Sequence, residues 1–312
     1  MGSPAAPILS VVVTVVSDTT GETDTRHLEG CLAALARQAD RPPAEILVTC
    51  DARLPGIQEV ERRFPNVKFV RVDHFRSPRH GAGREHHDEL RGIGLRAAHG
   101  EIVAMLEDHG QPDPHWCAKL VEEHSTPHAA IGGAMENGVD RPLNWAVYFS
   151  DFGRYQNPVL RGPSYSLTDA NVSYKRQALE KVADAWAEAY NETRVHAALR
   201  ARGETLWISP DLVVYQHRLN MRMGPALHER YVWGRSYAAT RMENATAVQR
   251  LVRAALSPVL PLVLLYRHTR NVLSKGRNQA AFFRAFPLLA ALTIAWATGE
   301  CVGYLTGRPA AD

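Results

Sequence analysis

Cysteine is scarce and unpatterned in this chain. Cys31, Cys50, Cys117 and Cys301 are scattered without a C-x-x-C, so neither a disulfide framework nor a structural zinc site is expected, and a reducing interior fits best. The opening MGSPAAPILS has no basic n-region, and the apolar run that follows breaks at Ser17 and Asp18. This argues against a secretory leader and for a first strand. No G-x-G-x-x-G follows that strand, which counts against a dinucleotide cofactor. The net charge of +3 is too mild to imply nucleic acid as a partner. Acids thin out after Arg218 while arginines do not, so the weak overall balance hides a basic C-terminal third.

With 312 residues, 45% of them hydrophobic, the chain can bury a large core. One α/β domain over residues 1–245, followed by an apolar and basic helical segment over 246–312, is the expected organisation. Leu9 to Val16 is β-branched and uninterrupted, the pattern of a central parallel strand. A helix from about Arg26 to Gln38 and a strand from Glu45 to Cys50, finishing at Asp51, complete a β-α-β unit. A helix near 57–64 and a strand near 67–72 follow. In RHGAGREHHDELRGIGL, glycines 81 and 83 with Arg79 and Arg84 could approach a diphosphate. His80, His86 and His87 lack a ligand spacing and read as surface histidines.

The stretch EIVAMLEDHGQPDPHW, Glu101 to Trp116, organises the rest. Ile102 to Leu106 suits a strand covered on both faces. Glu107, Asp108 and His109 then fall at its carboxyl end, where ligands gather in open α/β sheets. In extended backbone Glu107 and His109 point to one side and Asp108 to the other. Two carboxylates and an imidazole can hold a divalent ion, and this mixed set suits Mn²⁺ better than Mg²⁺. Asp113 and Pro114 have the composition of a helix start.

Taken in order, these stretches resemble the family 2 glycosyltransferases of GT-A fold, over roughly residues 8–240. LSVVVTVV is similar to the family's first strand. ILVTCD is similar to its second, which places a nucleotide contact on Asp51. LRGIGLRAAHGEIVAMLEDHGQPDPHW resembles the helix, glycine, strand and metal motif, so the likeness places a donor contact on Arg91. It also places the D-x-D element on Glu107-Asp108-His109, as donor and metal ligands. Glu107 and His109 stand where the family usually has aspartates. DANVSYKRQAL is similar to the acceptor-side loop and its helix, with Asp169 and Asn171 lining the acceptor; read as residues alone, these two equally cap that helix. With Gly203 held in register, Glu192 takes the place of the catalytic base, and Asn191 replaces an acid beside it. The resemblance implies a mixed, mainly parallel sheet flanked by helices. It also implies inverting, metal-dependent transfer of a sugar from a nucleotide-diphosphate sugar to a hydroxyl on a lipid-linked or polysaccharide-related acceptor.

The C-terminal third carries two apolar stretches. Leu251 to Tyr266 falls short of the roughly 20 residues a bilayer crossing needs and contains Arg253, Pro258 and Pro261. Ala285 to Leu305 is long enough but carries Glu300. Between them lie Arg267, Arg270, Lys275, Arg277 and Arg284 with no acid. Peripheral or re-entrant helices on the cytoplasmic face of the cell membrane, with the basic loop toward anionic lipid, are expected. The many bacterial family members that act on lipid-linked acceptors support such a tail. Oligomeric state is left open. Two rival readings are a non-catalytic nucleotide-sugar or lipid-binding relative and a nucleotidyltransferase. Glu192 beside a metal-capable triplet disfavours the first, and the lack of a Gly-rich basic loop after the first strand disfavours the second.

Overall fold

The computed structural model describes residues 7–17, 25–76, 85–242 and 245–308. A run such as Leu9 to Thr14, apolar or β-branched on both sides, has no face to give to water, and it forms the centre of the sheet. In chain order the first half is β1 (Leu9–Thr14), α1 (Arg26–Ala36), β2 (Ala44–Asp51), α2 (Ile57–Arg63), β3 (Lys68–Val72), α3 (Glu85–Ala97) and β4 (Ile102–Glu107). All six positions of β1 and of β4 are buried. β1 pairs in parallel with β2 and β4, and β2 with β3.

The second half is β5 (Gly110–Pro112), α4 (Trp116–Glu123), β6 (Ala130–Asn137), α5 (Pro142–Asp151), β7 (Gly162–Pro163), β8 (Asn171–Lys175), α6 (Arg176–Glu180), α7 (Glu192–Ala201) and β9 (Leu206–Gln216). Sheet order among the described residues is β3-β2-β1-β4-β8-β6-β9-β5, with β7 on β9. β8 is antiparallel to both β4 and β6. The sheet is therefore mixed and mainly parallel, with helices on its faces.

Three local expectations are corrected. The helix expected from Asp113 starts at Trp116 instead, because Gly110–Pro112 is drawn out as a strand on β9. Asp113 makes a turn, its carboxylate accepting from the His115 N–H at 3.1 Å. Within DANVSYK, Asn171–Lys175 forms a strand where a loop was expected, and Asp169 and Ala170 make the turn before it. The two short strands expected around Ser209-Pro210-Asp211 are one strand, β9, whose register against β6 shifts between Gly133 and Ala134. A bulge there absorbs the proline that seemed to end the strand.

After β9 come α8 (Met223–Arg241), α9 (Ala247–Leu256), α10 (Leu260–Lys275) and α11 (Gln279–Thr306). The core does not break near residue 245. Phe282, Ala285, Leu289 and Leu292 of α11 belong to the same buried cluster as the sheet, and Phe282 meets Phe149 of α5 edge to face at 5.2 Å. The first apolar stretch is also longer than its sequence suggested. α9, one 3-10 turn at Ser257–Val259 and α10 make a continuous 29-residue helical rod. Among the described residues this rod and the 28-residue α11 are long and apolar enough to cross a membrane, by length and composition. The basic residues between them do not all face outward: Lys275 Nζ donates to the Arg154 carbonyl at 2.9 Å, Arg277 pairs with Glu136 at 2.8 Å and Arg284 pairs with Asp140.

Candidate active site

The site begins at a rim where β1 and β4 end level and β2 runs on to Asp51. Thr14 is opposite both Thr49 and Glu107 in the register, which brings Ser17, Asp51 and the Glu107-Asp108-His109 triplet to one edge of the sheet. Glu107 Oε1 accepts from Arg91 Nη2 at 2.8 Å. Its Oε2 lies 3.1 Å from His109 Nε2, buried but out of line for a hydrogen bond. The i, i+2 pair thus shares a side. Asp108 turns the other way, accepting from the Val16 N–H at 3.1 Å and from the Ser17 hydroxyl. The imidazole still spans both carboxylates, since His109 Nδ1 is 3.4 Å from Asp108 Oδ1.

Burial opposes charge on all three groups, and their neighbours overcome it. Against desolvation, His109, Arg91 and Arg218 hold Glu107 well below the usual carboxylate range. His109, Ser17 and the Val16 N–H do the same for Asp108. For His109, burial and Arg218 oppose protonation, but the two carboxylates prevail and its pKa is raised. Arg218 Nε donates to His109 Nε2 at 3.2 Å, a bond that needs the neutral ring. Protonation of His109 therefore exchanges Arg218 for the carboxylates.

Among the described residues no three His, Cys, Asp or Glu side chains converge as metal ligands do. The chemistry of the triplet nonetheless fits a divalent cation. The imidazole lies within 3.4 Å of each carboxylate, one at each ring nitrogen, and Glu107 Oε2 and His109 Nδ1 are buried without a hydrogen bond.

Arg91 is 1% exposed. Its guanidinium faces Asp88 at 3.2 Å, Glu107 at 2.8 Å and Asp169 at 2.9 Å. The residue expected at a diphosphate is thus enclosed by carboxylates, and it ties α3 to β4 and to the loop before β8. The Asp169 N–H donates to Glu192 Oε2 at 3.1 Å. Glu192 opens α7, where Asn191 is the N-cap and accepts from the Arg194 N–H at 3.2 Å. Asp51 ends β2 and accepts from the Arg53 N–H at 2.8 Å. Arg84 lies outside the described residues.

Asn171 corrects the expectation placed on it. Its Nδ2 donates to the carbonyls of Ala134 and Leu212 at 3.0 and 2.9 Å, and its Oδ1 accepts from Trp116 Nε1 at 3.1 Å. Two of these partners are in strands β6 and β9 and the third opens α4, so the buried side chain fastens β8 to β6, β9 and α4. Arg91, Glu107, Asp169 and Glu192 do come together, on one cleft of about 1100 Å³ that also reaches α8, α10 and α11. Asp51, Asp108, His109 and Asn171 are not among the residues that line it.

Several neighbours of the triplet carried no sequence signal. His27 Nδ1 is 2.7 Å from the His217 carbonyl oxygen, and its ring meets His109 edge to face at 6.5 Å. The His217 N–H donates to the His109 carbonyl at 2.8 Å. Gly138 makes room here, because a Cβ at that position would collide with the His217 ring. Positions 27, 109, 138 and 217 are brought together by the pairing of β9 with both β5 and β6 and by the docking of α1. His86 and His87, expected at the surface, are buried, and their rings lie 4.0 Å apart. The reason is that α3 turns this face inward, and His87 lines the cleft.

Residues 15–183 match the model of glycosyl transferase family 2, more than half of the chain. Glu192 falls outside the matched span. No curated protein matches the chain. One solved structure of similar fold is the mannosyltransferase PcManGT from Pyrobaculum calidifontis in complex with GDP-Man and Mn²⁺. It is 17% identical, with 95% of this chain and 88% of that chain covered and a TM-score of 0.53.

Proposed function

Because the chain belongs to glycosyl transferase family 2, and is therefore a glycosyltransferase that uses a nucleotide-sugar donor, we propose that it transfers the sugar with inversion to an acceptor hydroxyl at the membrane surface. The observation that carries this reading is the convergence of Glu192, Asp169, Arg91 and Glu107 on a cleft shared with the C-terminal helices. Glu192 has one carboxylate oxygen engaged by the Asp169 N–H, which fixes its orientation. Its carboxylate can take the proton of the acceptor hydroxyl as that hydroxyl oxygen bonds to the anomeric carbon, while the bond from that carbon to the diphosphate breaks.

His109, Glu107 and Asp108 would hold a divalent cation, which when bound neutralises the leaving diphosphate. Asp51, at the end of β2, meets the nucleotide. Arg91 contributes by positioning: it holds Glu107 and Asp169 charged and in place. The mixed donor set favours Mn²⁺, and the GDP-Man and Mn²⁺ bound in the structurally similar mannosyltransferase make that pair the first to assay.

The Glu192→Gln variant tests the reading. It keeps shape and removes the base, so transfer should fall by roughly 10²- to 10⁴-fold with donor affinity within a few-fold of the parent. Parental transfer rates would make Glu192 structural. Equal loss of donor binding would place it on the donor side.

A further inference from the structure

We propose that Arg218 is an internal cation: in the resting protein its guanidinium holds the place beside Glu107 and His109 that a divalent ion takes, and on metal binding it passes to the diphosphate of the donor. This rests on the metal and donor reading above and adds a residue that neither assigns.

The first observation is which edge of the triplet faces the cleft. Asp108 is turned into the fold, where it accepts from the Val16 N–H and the Ser17 hydroxyl, and neither it nor His109 lines the cleft. Glu107 does line it. Glu107 Oε2 has no hydrogen bond and lies 3.1 Å from His109 Nε2, so an ion arriving from the cleft would be offered this oxygen and this nitrogen.

The second observation is what already stands there. Arg218 Nε donates to the same His109 Nε2 at 3.2 Å, and the lone pair that accepts this bond is the one a metal needs. Arg218 lines the cleft, whereas His109 is 2% exposed, so the arginine covers the imidazole on its cleft side. Its charge also acts on Glu107. One lone pair cannot serve both a guanidinium and a divalent ion, and binding either expels the other.

The third observation is that Arg218 is placed to leave. It lies in the link between β9 and α8, where its carbonyl accepts from Asn144 Nδ2 at 2.7 Å and the preceding His217 N–H bonds the His109 carbonyl at 2.8 Å. With the backbone pinned, only the side chain has to move. Among the described residues its bond to His109 is the one hydrogen bond that side chain makes, and it forms no ion pair. Arg91, at the same end of the cleft, is already enclosed by three carboxylates. A displaced Arg218 and a bound divalent ion repel each other at this distance, and an anion between them relieves the repulsion. The fork of a guanidinium matches a phosphate, which makes the donor's diphosphate that anion.

The test is calorimetry on the full-length protein, first with Mn²⁺ alone and then with GDP, and UDP in parallel, at saturating Mn²⁺. R218M keeps the length of the apolar stem and removes both the charge and the competitor for Nε2, so it should bind Mn²⁺ alone roughly tenfold more tightly than the parent. Its affinity for the nucleoside diphosphate should be roughly tenfold weaker. The two affinities move in opposite directions, which a loss of packing would not produce. R218K, which keeps a charge, should hold Mn²⁺ affinity near the parent's and recover part of the nucleotide affinity. Melting temperatures of both variants report whether the link still packs.

Mn²⁺ binding that is unchanged or weaker in R218M would overturn the proposal by making Arg218 a support of His109. Tighter Mn²⁺ with unchanged nucleotide affinity would overturn the diphosphate role. Mn²⁺ binding to neither protein, with nucleotide or without, would defeat the metal reading itself, whereas binding to the parent that R218M does not strengthen defeats only the Arg218 assignment. Failure of both GDP and UDP to bind the parent would defeat the donor reading.

Discussion

Three carboxylates surround the guanidinium of Arg91, which is 1% exposed. Arg91→Leu removes the guanidinium that Asp88, Glu107 and Asp169 share and takes away that match for their buried negative charge. Chemical denaturation should show a loss of about 3–5 kcal/mol. Lysine in its place keeps one charge but cannot reach three carboxylates as a fork does, so Arg91→Lys should recover only part. His109 supports a second measurement. A metal ligand must be neutral, and the pKa of this imidazole is raised above its ordinary 6.5. The proton therefore competes with the ion at a higher pH than for a free histidine. Calorimetric Mn²⁺ affinity should fall as the pH is lowered from 8 to 6, and His109→Ala should abolish both the affinity and its pH dependence. The metal-free protein should show the opposite trend. The stability contributed by the imidazolium is fully present below 6.5 and is lost as pH rises through the raised value. That Glu107 and His109 face one side was legible in the sequence, because the two-residue period of extended backbone is local. That Arg91 would be enclosed by acids was not, since two of its partners are 16 and 78 positions away.

At the scale of elements, the sheet was legible wherever a strand is buried on both faces. Central strands β1, β2 and β4 announce themselves by uninterrupted apolar runs. β8 did not, because Asn171, Ser173 and Lys175 alternate with apolar residues and resemble a loop. Its polar groups are satisfied by Ala134, Leu212, Ile131 and Thr126, partners that exist only once the sheet is assembled. The α8 and α11 pair makes a prediction of its own. Gly299 of α11 lies against the Tyr231 carbonyl of α8, where a Cβ would collide with backbone. Gly299→Val should force the helices apart and cost about 1–3 kcal/mol, visible as a lower melting temperature. Because α11 also packs on α5, the donor-binding half should lose stability with it.

For the whole molecule, the proposed membrane-surface reading rests on the outer face of the C-terminal helices. Leu251 and Leu262 are 63% and 69% exposed, and Val248, Val252, Leu256 and Val263 extend the patch around them. On the proposed reading these exposed apolar side chains on the rod of α9 and α10 insert at the lipid interface. L251E/L262E should abolish flotation with vesicles of phosphatidylcholine and phosphatidylglycerol. Neither residue lines the cleft, so donor hydrolysis in detergent should be retained. Much of the basic stretch expected to face anionic lipid is instead paired with the catalytic half, through Lys275, Arg277 and Arg284. Apolar burial, with a smaller electrostatic share, should therefore dominate attachment.

By itself the sequence determined the central strands and the helices between them, and which strand carries the acidic and imidazole groups to the sheet edge. Apolar periodicity acts through nearest neighbours along the chain, so it can be read without a fold. Only the tertiary structure decided which charges meet: His27 and His217 beside His109, Asp169 against Arg91 and Glu192, and Arg218 against His109. Those pairings are set by strand order and helix docking, and opposite charges leave no periodic trace in the sequence between them.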